Sequence, residues 1–291
     1  MSKLSAPLKA LIHAPFARPD VTAAPKAIRA VYQSIAKDAA ARDVAKPCWL
    51  TIATATTMTL NSPASLSTLY DVANTSPSAS TEAEALRTAE HMREVGLKCI
   101  SFNGIPRSIN NLGIFRASLP AHISARLTTT PTREPNAQNI AAISARGRAL
   151  WDDLYRPFEE KLLAKLGESH PDLPVHILHS HYSALLSDPA PTAEGEEEAR
   201  PRAGRVLTSL IAIACLRAQT GVAPQVVSHV FGLRKAFEAG AVASAETALP
   251  GARWLASDEG SVWVLETVDR IVRAFGEPSG STFAPGVGAK L

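Results

Sequence analysis

The sequence predicts an all-α fold, and three observations carry that prediction. Apolar residues recur at helical spacing along most of the chain, alanine and leucine dominate the apolar content, and runs of alternating β-branched residues are scarce. At 291 residues the chain is long enough for one large domain or two ordinary ones, with a substantial core in either case. Its 46% hydrophobic and 20% charged residues are those of an ordinary globular protein.

Residues 1–24 read as an N-terminal extension. The first 37 residues carry Lys3, Lys9, Arg18, Lys26, Arg29 and Lys37 against a single acid, Asp20. That balance suits an ordinary basic first helix, with a mitochondrial presequence as the alternative, and no apolar block of a secretory signal precedes it. An apolar helix then starts near Cys48 in "CWLTIATATTMTL", and Pro63 opens the next in "SPASLSTLYDVA". Proline is comfortable in a first turn, where its missing N–H costs no hydrogen bond. "NTSPSAS" at 74–80 is a turn.

"TEAEALRTAEHMREVGLKCIS" opens with Thr81 and Glu84 at capping-box spacing, and sets Ala85, Ala89, Met92, Gly96 and Cys99 on one helical face. Residues 139–166 repeat Leu150, Leu154, Phe158 and Leu162 at every fourth position as one long helix. "SDPAPTAEGEEEARPRAG", 187–204, is a mobile acidic loop too polar to bury much. "SLIAIACLRAQ" from Ser209, then "APQVVSHVFGLRKAF" with Pro224, and finally "SVWVLETVDRIVRAF" complete the helices. Cys48 to Pro63 and Ser209 to Pro224 span the same fifteen residues. This echo predicts one two-lobed domain over 25–275, duplicated as halves 25–135 and 139–275, followed by a flexible tail at 276–291.

Composition narrows the function. The net charge of +3 is spread along the chain, which argues against a nucleic-acid surface. No uninterrupted apolar stretch suits a bilayer span, since the best candidates are short and threaded with Thr and Ser. Three cysteines, Cys48, Cys99 and Cys215, lie far apart in sequence without C-x-x-C or zinc-type spacing. No disulfide framework, no metal site and no cofactor are expected. The tail ends in Ala289, Lys290 and Leu291, a conservative variant of the Ser-Lys-Leu peroxisomal address. The expected location is the peroxisomal matrix, with the import receptor as partner, and mitochondria or cytoplasm as alternatives.

"RVLTSLIAIACLRAQTGVAPQVVSHVFGLRKAFEAGA" resembles the core helical hairpin of the carboxymuconolactone decarboxylase and AhpD-like family. "EHMREVGLKCISFNGIPRSINNLG" resembles that family's following helix and its G-x-P loop, here Gly104-Ile105-Pro106. The likeness covers roughly residues 25 to 275 and implies an AhpD-like helical bundle, a homo-oligomer and small-molecule chemistry. The family's peroxide-reducing members use C-x-x-C-x-x-x-H. Here Val222 and Gln225 stand at the thiol positions before His229, so that chemistry is missing there. Decarboxylase-type members need no cysteine and use a histidine as proton donor or acceptor near a carboxylate substrate; that reading survives without the family's acidic partner, since "VLTSL", where the acid is expected, has no carboxylate.

His229 is therefore the candidate general acid/base, because imidazole transfers protons near neutral pH. The plain alternative is a helix-packing histidine, and Thr68 occupies the equivalent place in the first half. Arg107, with Asn110 and Asn111 beside it, is the candidate anchor for a substrate carboxylate; alternatively, Gly-x-Pro only shapes a turn and Arg107 faces water. In "HILHSHY", His176 and His179 share a helical face while His181 points elsewhere, and no further ligand stands near. Cys99 reads as a buried, inert thiol. Two functions of different class follow. One is a cofactor-independent decarboxylase, lactone-opening enzyme or isomerase acting on a small carboxylated or acyl metabolite. The other is a helical scaffold or binding protein without the chemistry. A thiol peroxidase using Cys99 or Cys215 is a third.

Overall fold

In a computed structural model that describes residues 4–75, 81–189, 202–238 and 245–276, no strand occurs among the described residues. The α-helices are α1 (Ala6–Ile12), α2 (Ile28–Ala41), α3 (Lys46–Thr59), α4 (Pro63–Asn74), α5 (Glu82–Lys98), α6 (Ile100–Asn103), α7 (Ile105–Ser118) and α8 (Ala121–Ser124), then α9 (Ile140–Tyr155), α10 (Glu159–Ser169), α11 (Asp172–His176), α12 (Gly204–Gln219), α13 (Ala223–Lys235), α14 (Ala252–Leu255) and α15 (Asp258–Ala274). A π-helix, Ile177–Leu186, runs on from α11. No helix among the described residues is long and apolar enough to cross a membrane.

Two of the apolar segments, α3 and α12, become the centre. α3 is buried from Cys48 to Thr59 and α12 from Arg205 to Leu216. A helix apolar on every side has to be enclosed by others. The two lie against each other, with α4, α5 and α15 packed on α3, and α13 and α15 on α12. Of the threonines that α3 carries inward, Thr56, Thr57 and Thr59 donate to the carbonyls of Ile52, Ala53 and Ala55 and Thr51 meets His91, while Thr54 Oγ1 has no partner among the described residues. The predicted capping box forms. Thr81 Oγ1 accepts from Glu84 N–H, and the Glu84 carboxylate accepts from Thr81 N–H. The face read from Ala89 to Cys99 is buried.

Two expectations need correction. Residues 139–166 are not one helix: α9 ends at Tyr155, and Phe158 stands 62% exposed instead of continuing the apolar row. Pro157 carries no N–H and its ring blocks the preceding turn, so the four-residue period continues in the sequence but not in the helix. In the π-helix the turn is wider, which brings His176 onto His181 at a ring separation of 5.2 Å. His181, not His179, is thus the partner of His176, and its Nδ1 lies 3.0 Å from Ser101 Oγ.

α9 and the π-helix build a second, smaller core of Trp151, Leu154, Tyr182 and Leu186. Gly147 permits their approach, since a Cβ there would sit 2.3 Å from Ser183 Cα and 2.4 Å from its backbone nitrogen. Most of the acidic loop, the 76–80 part of the predicted turn and the 277–291 part of the tail lie outside the described residues. The base of the loop is clamped. Asp188 accepts from Lys98 Nζ at 2.7 Å and from Gly204 N–H at 2.6 Å, which closes the segment across its two ends.

Candidate functional site

α13 turns His229, Gly232 and Leu233 inward, a three-then-one spacing that places one side of the helix on α9 and α12. His229 is only 7% exposed. Its imidazole lies edge-on to Phe102 of α6, with centroids 6.0 Å apart, and to Tyr155 of α9 at 6.2 Å. Tyr155 continues the aromatic wall. Its hydroxyl meets that of Tyr182 at 2.8 Å, and Trp151 packs on both tyrosines at 4.3 and 5.0 Å. Among the described residues, no hydrogen bond or ion pair reaches the His229 ring.

Electrostatics follow from that enclosure. Burial pushes the His229 imidazole down to about 4, so the ring is neutral at physiological pH. Burial also raises Tyr155 and Tyr182, which keeps both hydroxyls protonated. The site is therefore uncharged: one neutral imidazole and a hydroxyl pair in an aromatic shell. An acid does reach this region, but it is committed elsewhere. Asp153 pairs with Arg205, whose guanidinium also donates to the carbonyls of Asp153 and Gly232.

Arg107 and Asn111 serve a different end of the bundle. Gly104, at φ +78°, forms the joint between α6 and α7, and Pro106 stands in the first turn of α7. This fixes Arg107 against the end of α3, where it donates to the Thr59 carbonyl. Asn111, fully buried, donates to Met58 O at 3.3 Å, Asn61 Oδ1 at 3.3 Å and Arg107 O at 2.8 Å. The last carbonyls of a helix lack partners and carry its negative dipole end, which a guanidinium and an amide both suit. Burial lowers the Arg107 pKa from its usual value. Phe102, five residues before Arg107, lies against His229.

Sequence reasoning missed several relationships. Phe102 opens the "FNGIPRSINN" loop but carries no motif of its own, and Tyr155 and Tyr182 gave no local signal. The thiols of Cys99 and Cys215, both fully buried, lie 3.6 Å apart, Sγ to Sγ. Burial, aided by Cys215, pushes the Cys99 thiol well above its usual range, which opposes the reactive thiolate a peroxidase needs. A second buried histidine, His91, is bound: its Nε2 lies 2.8 Å from Thr51 Oγ1, and burial lowers its pKa to about 4. No group of three or more His, Cys, Asp or Glu side chains among the described residues is arranged to hold a metal ion. Compared with protein-family models, with curated proteins and with solved structures, the chain matches none of them.

Proposed function

We propose that this chain is a carboxymuconolactone decarboxylase-like helical protein that works by binding rather than by turnover. The single observation carrying the proposal is the setting of His229, a neutral ring packed edge-on between Phe102 and Tyr155. The side chains expected to anchor a carboxylate support it, because Arg107 and Asn111 hold the end of α3. The duplication belongs to the same proposal. α3 with α4 and α12 with α13 are two pairs in which a buried helix precedes one with proline in its first turn, and α3 lies against α12. The ligand proposed for it is an uncharged, largely apolar small molecule, the class that suits an aromatic shell around a neutral imidazole.

A second reading, a cofactor-independent enzyme on a carboxylated or acyl metabolite, has one observation in its favour. A carboxylate brought beside an imidazole favours its protonated form, so a bound substrate could raise His229 from about 4 toward neutrality. Paired incubation of the wild type and a folded His229→Ala variant with a small-molecule cell extract, followed by mass spectrometry, separates the two. Binding predicts no compound consumed by the wild type alone. A metabolite consumed by the wild type and spared by the variant would replace the binding reading with the enzymatic one. The peroxisomal address on Ala289, Lys290 and Leu291 lies outside the described residues and is a separate proposal.

A further inference from the structure

The structure brings two of the three cysteines together from opposite halves of the chain. Cys99 occupies the joint between α5 and α6, and Cys215 lies in the last turns of α12, 116 residues later. Their sulfurs are 3.6 Å apart and both side chains have no exposed surface. Cys48 is buried on α3, with no thiol contact among the described residues.

We propose that Cys99 and Cys215 form a reversible dithiol–disulfide pair that links the α5–α6 joint to α12 under peroxide. A disulfide has sulfurs about 2.05 Å apart, so closure asks for a movement of about 1.6 Å, within the reach of side-chain rotation and a small shift at a helix joint. The chemistry balances with hydrogen peroxide as oxidant. One thiol sulfur attacks a peroxide oxygen; the O–O bond breaks, and a sulfenic acid and one water form. The second thiol attacks the sulfenic sulfur, the S–S bond forms, and a second water leaves with the remaining proton. Two thiols are oxidised by two electrons and one peroxide is reduced to two waters. A dithiol reductant reverses it by exchange.

The position of the pair gives the link a consequence. Three residues beyond Cys99 is Phe102, which lies against His229, and Gly104 follows as the hinge into α7. Drawing Cys99 onto α12 would therefore act on the wall of the candidate site. Full burial and the raised Cys99 thiol make the reaction depend on an opening of the α5–α6 joint. The link is thus expected to form slowly in the native protein and faster under mild denaturant.

The test uses the full-length protein, reduced, then exposed to hydrogen peroxide under native conditions. Remaining thiols are blocked with N-ethylmaleimide after unfolding, and non-reducing peptide mass mapping follows. The expected product is the Cys99 peptide joined to the Cys215 peptide with two hydrogens lost, Cys48 alkylated, and both peptides released by dithiothreitol. Cys99 and Cys215 both recovered as alkylated thiols would overturn the proposal. So would Cys99 recovered as sulfinic or sulfonic acid, or a link through Cys48. A Cys48→Ala variant, which leaves the pair intact, is expected to give the same crosslink.

Discussion

The phenyl ring of Phe102 stands nearly perpendicular to the imidazole of His229, at 85° with centroids 6.0 Å apart. Edge-to-face contacts of this kind place a positive ring edge against a π face and add about 1 kcal/mol to simple burial. The histidine here behaves as an aromatic packing residue. Truncation to alanine is expected to cost about 3 kcal/mol, as for other buried rings, while His229→Phe stays within about 1.5 kcal/mol of wild type. Urea unfolding of the two variants checks this. A phenylalanine variant as damaged as the alanine one would show that the ring nitrogens matter.

Stability should fall with acid in a defined window. His229 and His91 both have folded values near 4, against about 6.5 in the unfolded chain. Between these values the unfolded state binds protons that the folded state refuses. Stability is therefore unaffected by these residues above pH 6.5, is lost as pH falls toward 4, and levels off below. Each contributes about 3 kcal/mol across the full window. His229→Phe is expected to flatten the unfolding midpoint between pH 6.5 and 4.5 by about half. The depressed carboxyl of Asp188 acts lower on the scale: burial opposes ionisation, but Lys98, the Gly204 N–H and Arg133 outweigh it.

Lys98 is fully buried and is held by Asp188 and the Leu186 carbonyl. Glu94 stands farther off, at 3.9 Å, so removing Asp188 takes away the close partner of a buried charge. Asp188→Ala should cost about 3–5 kcal/mol, and Lys98→Met combined with Asp188→Ala should cost less than Asp188→Ala alone. A double-mutant cycle by denaturation measures the difference. Equal losses would mean that Lys98 finds another acceptor.

Gly147→Ala tests the small core behind the site. Its Cβ would meet the Ser183 hydroxyl at 2.0 Å and, beside it, the Ser183 backbone, which cannot swing away. The expected cost is about 3 kcal/mol with loss of the Tyr155–Tyr182 pairing, read as a change in tyrosine fluorescence or near-ultraviolet circular dichroism. An unchanged spectrum and midpoint would contradict the close packing of α9 on the π-helix.

The proposed peroxisomal address has its own test. A fluorescent protein fused to the N-terminus should be peroxisomal with Ala289, Lys290 and Leu291 present and cytosolic once they are deleted. A distribution insensitive to the deletion would remove the address.

Local features were legible in the sequence because local physics sets them. The Thr81–Glu84 capping box, the prolines opening α4 and α13, and the burial of α3 and α12 all follow from a few neighbouring residues. Phe158 was misplaced because period alone outweighed the break that Pro157 imposes. The π-helix, and with it the meeting of His176 and His181, leaves no periodic trace, since a changed turn width is decided by packing against α9. The Cys99–Cys215 pair and the hold of Arg107 on Thr59 join residues distant in the chain. Only the fold brings those together, so the spacing that suggested an anion anchor could not reveal that Arg107 also holds the end of α3.

The protonation of His229 tests the central claim most directly. Two-dimensional nitrogen–proton NMR of the imidazoles, assigned by comparison with His229→Phe, would follow the ring from pH 8 to the acid limit of the fold. A packing residue predicts a single neutral form down to a midpoint at about 4. A midpoint at or above 6.5 would place water or an acidic partner on the ring and contradict the account.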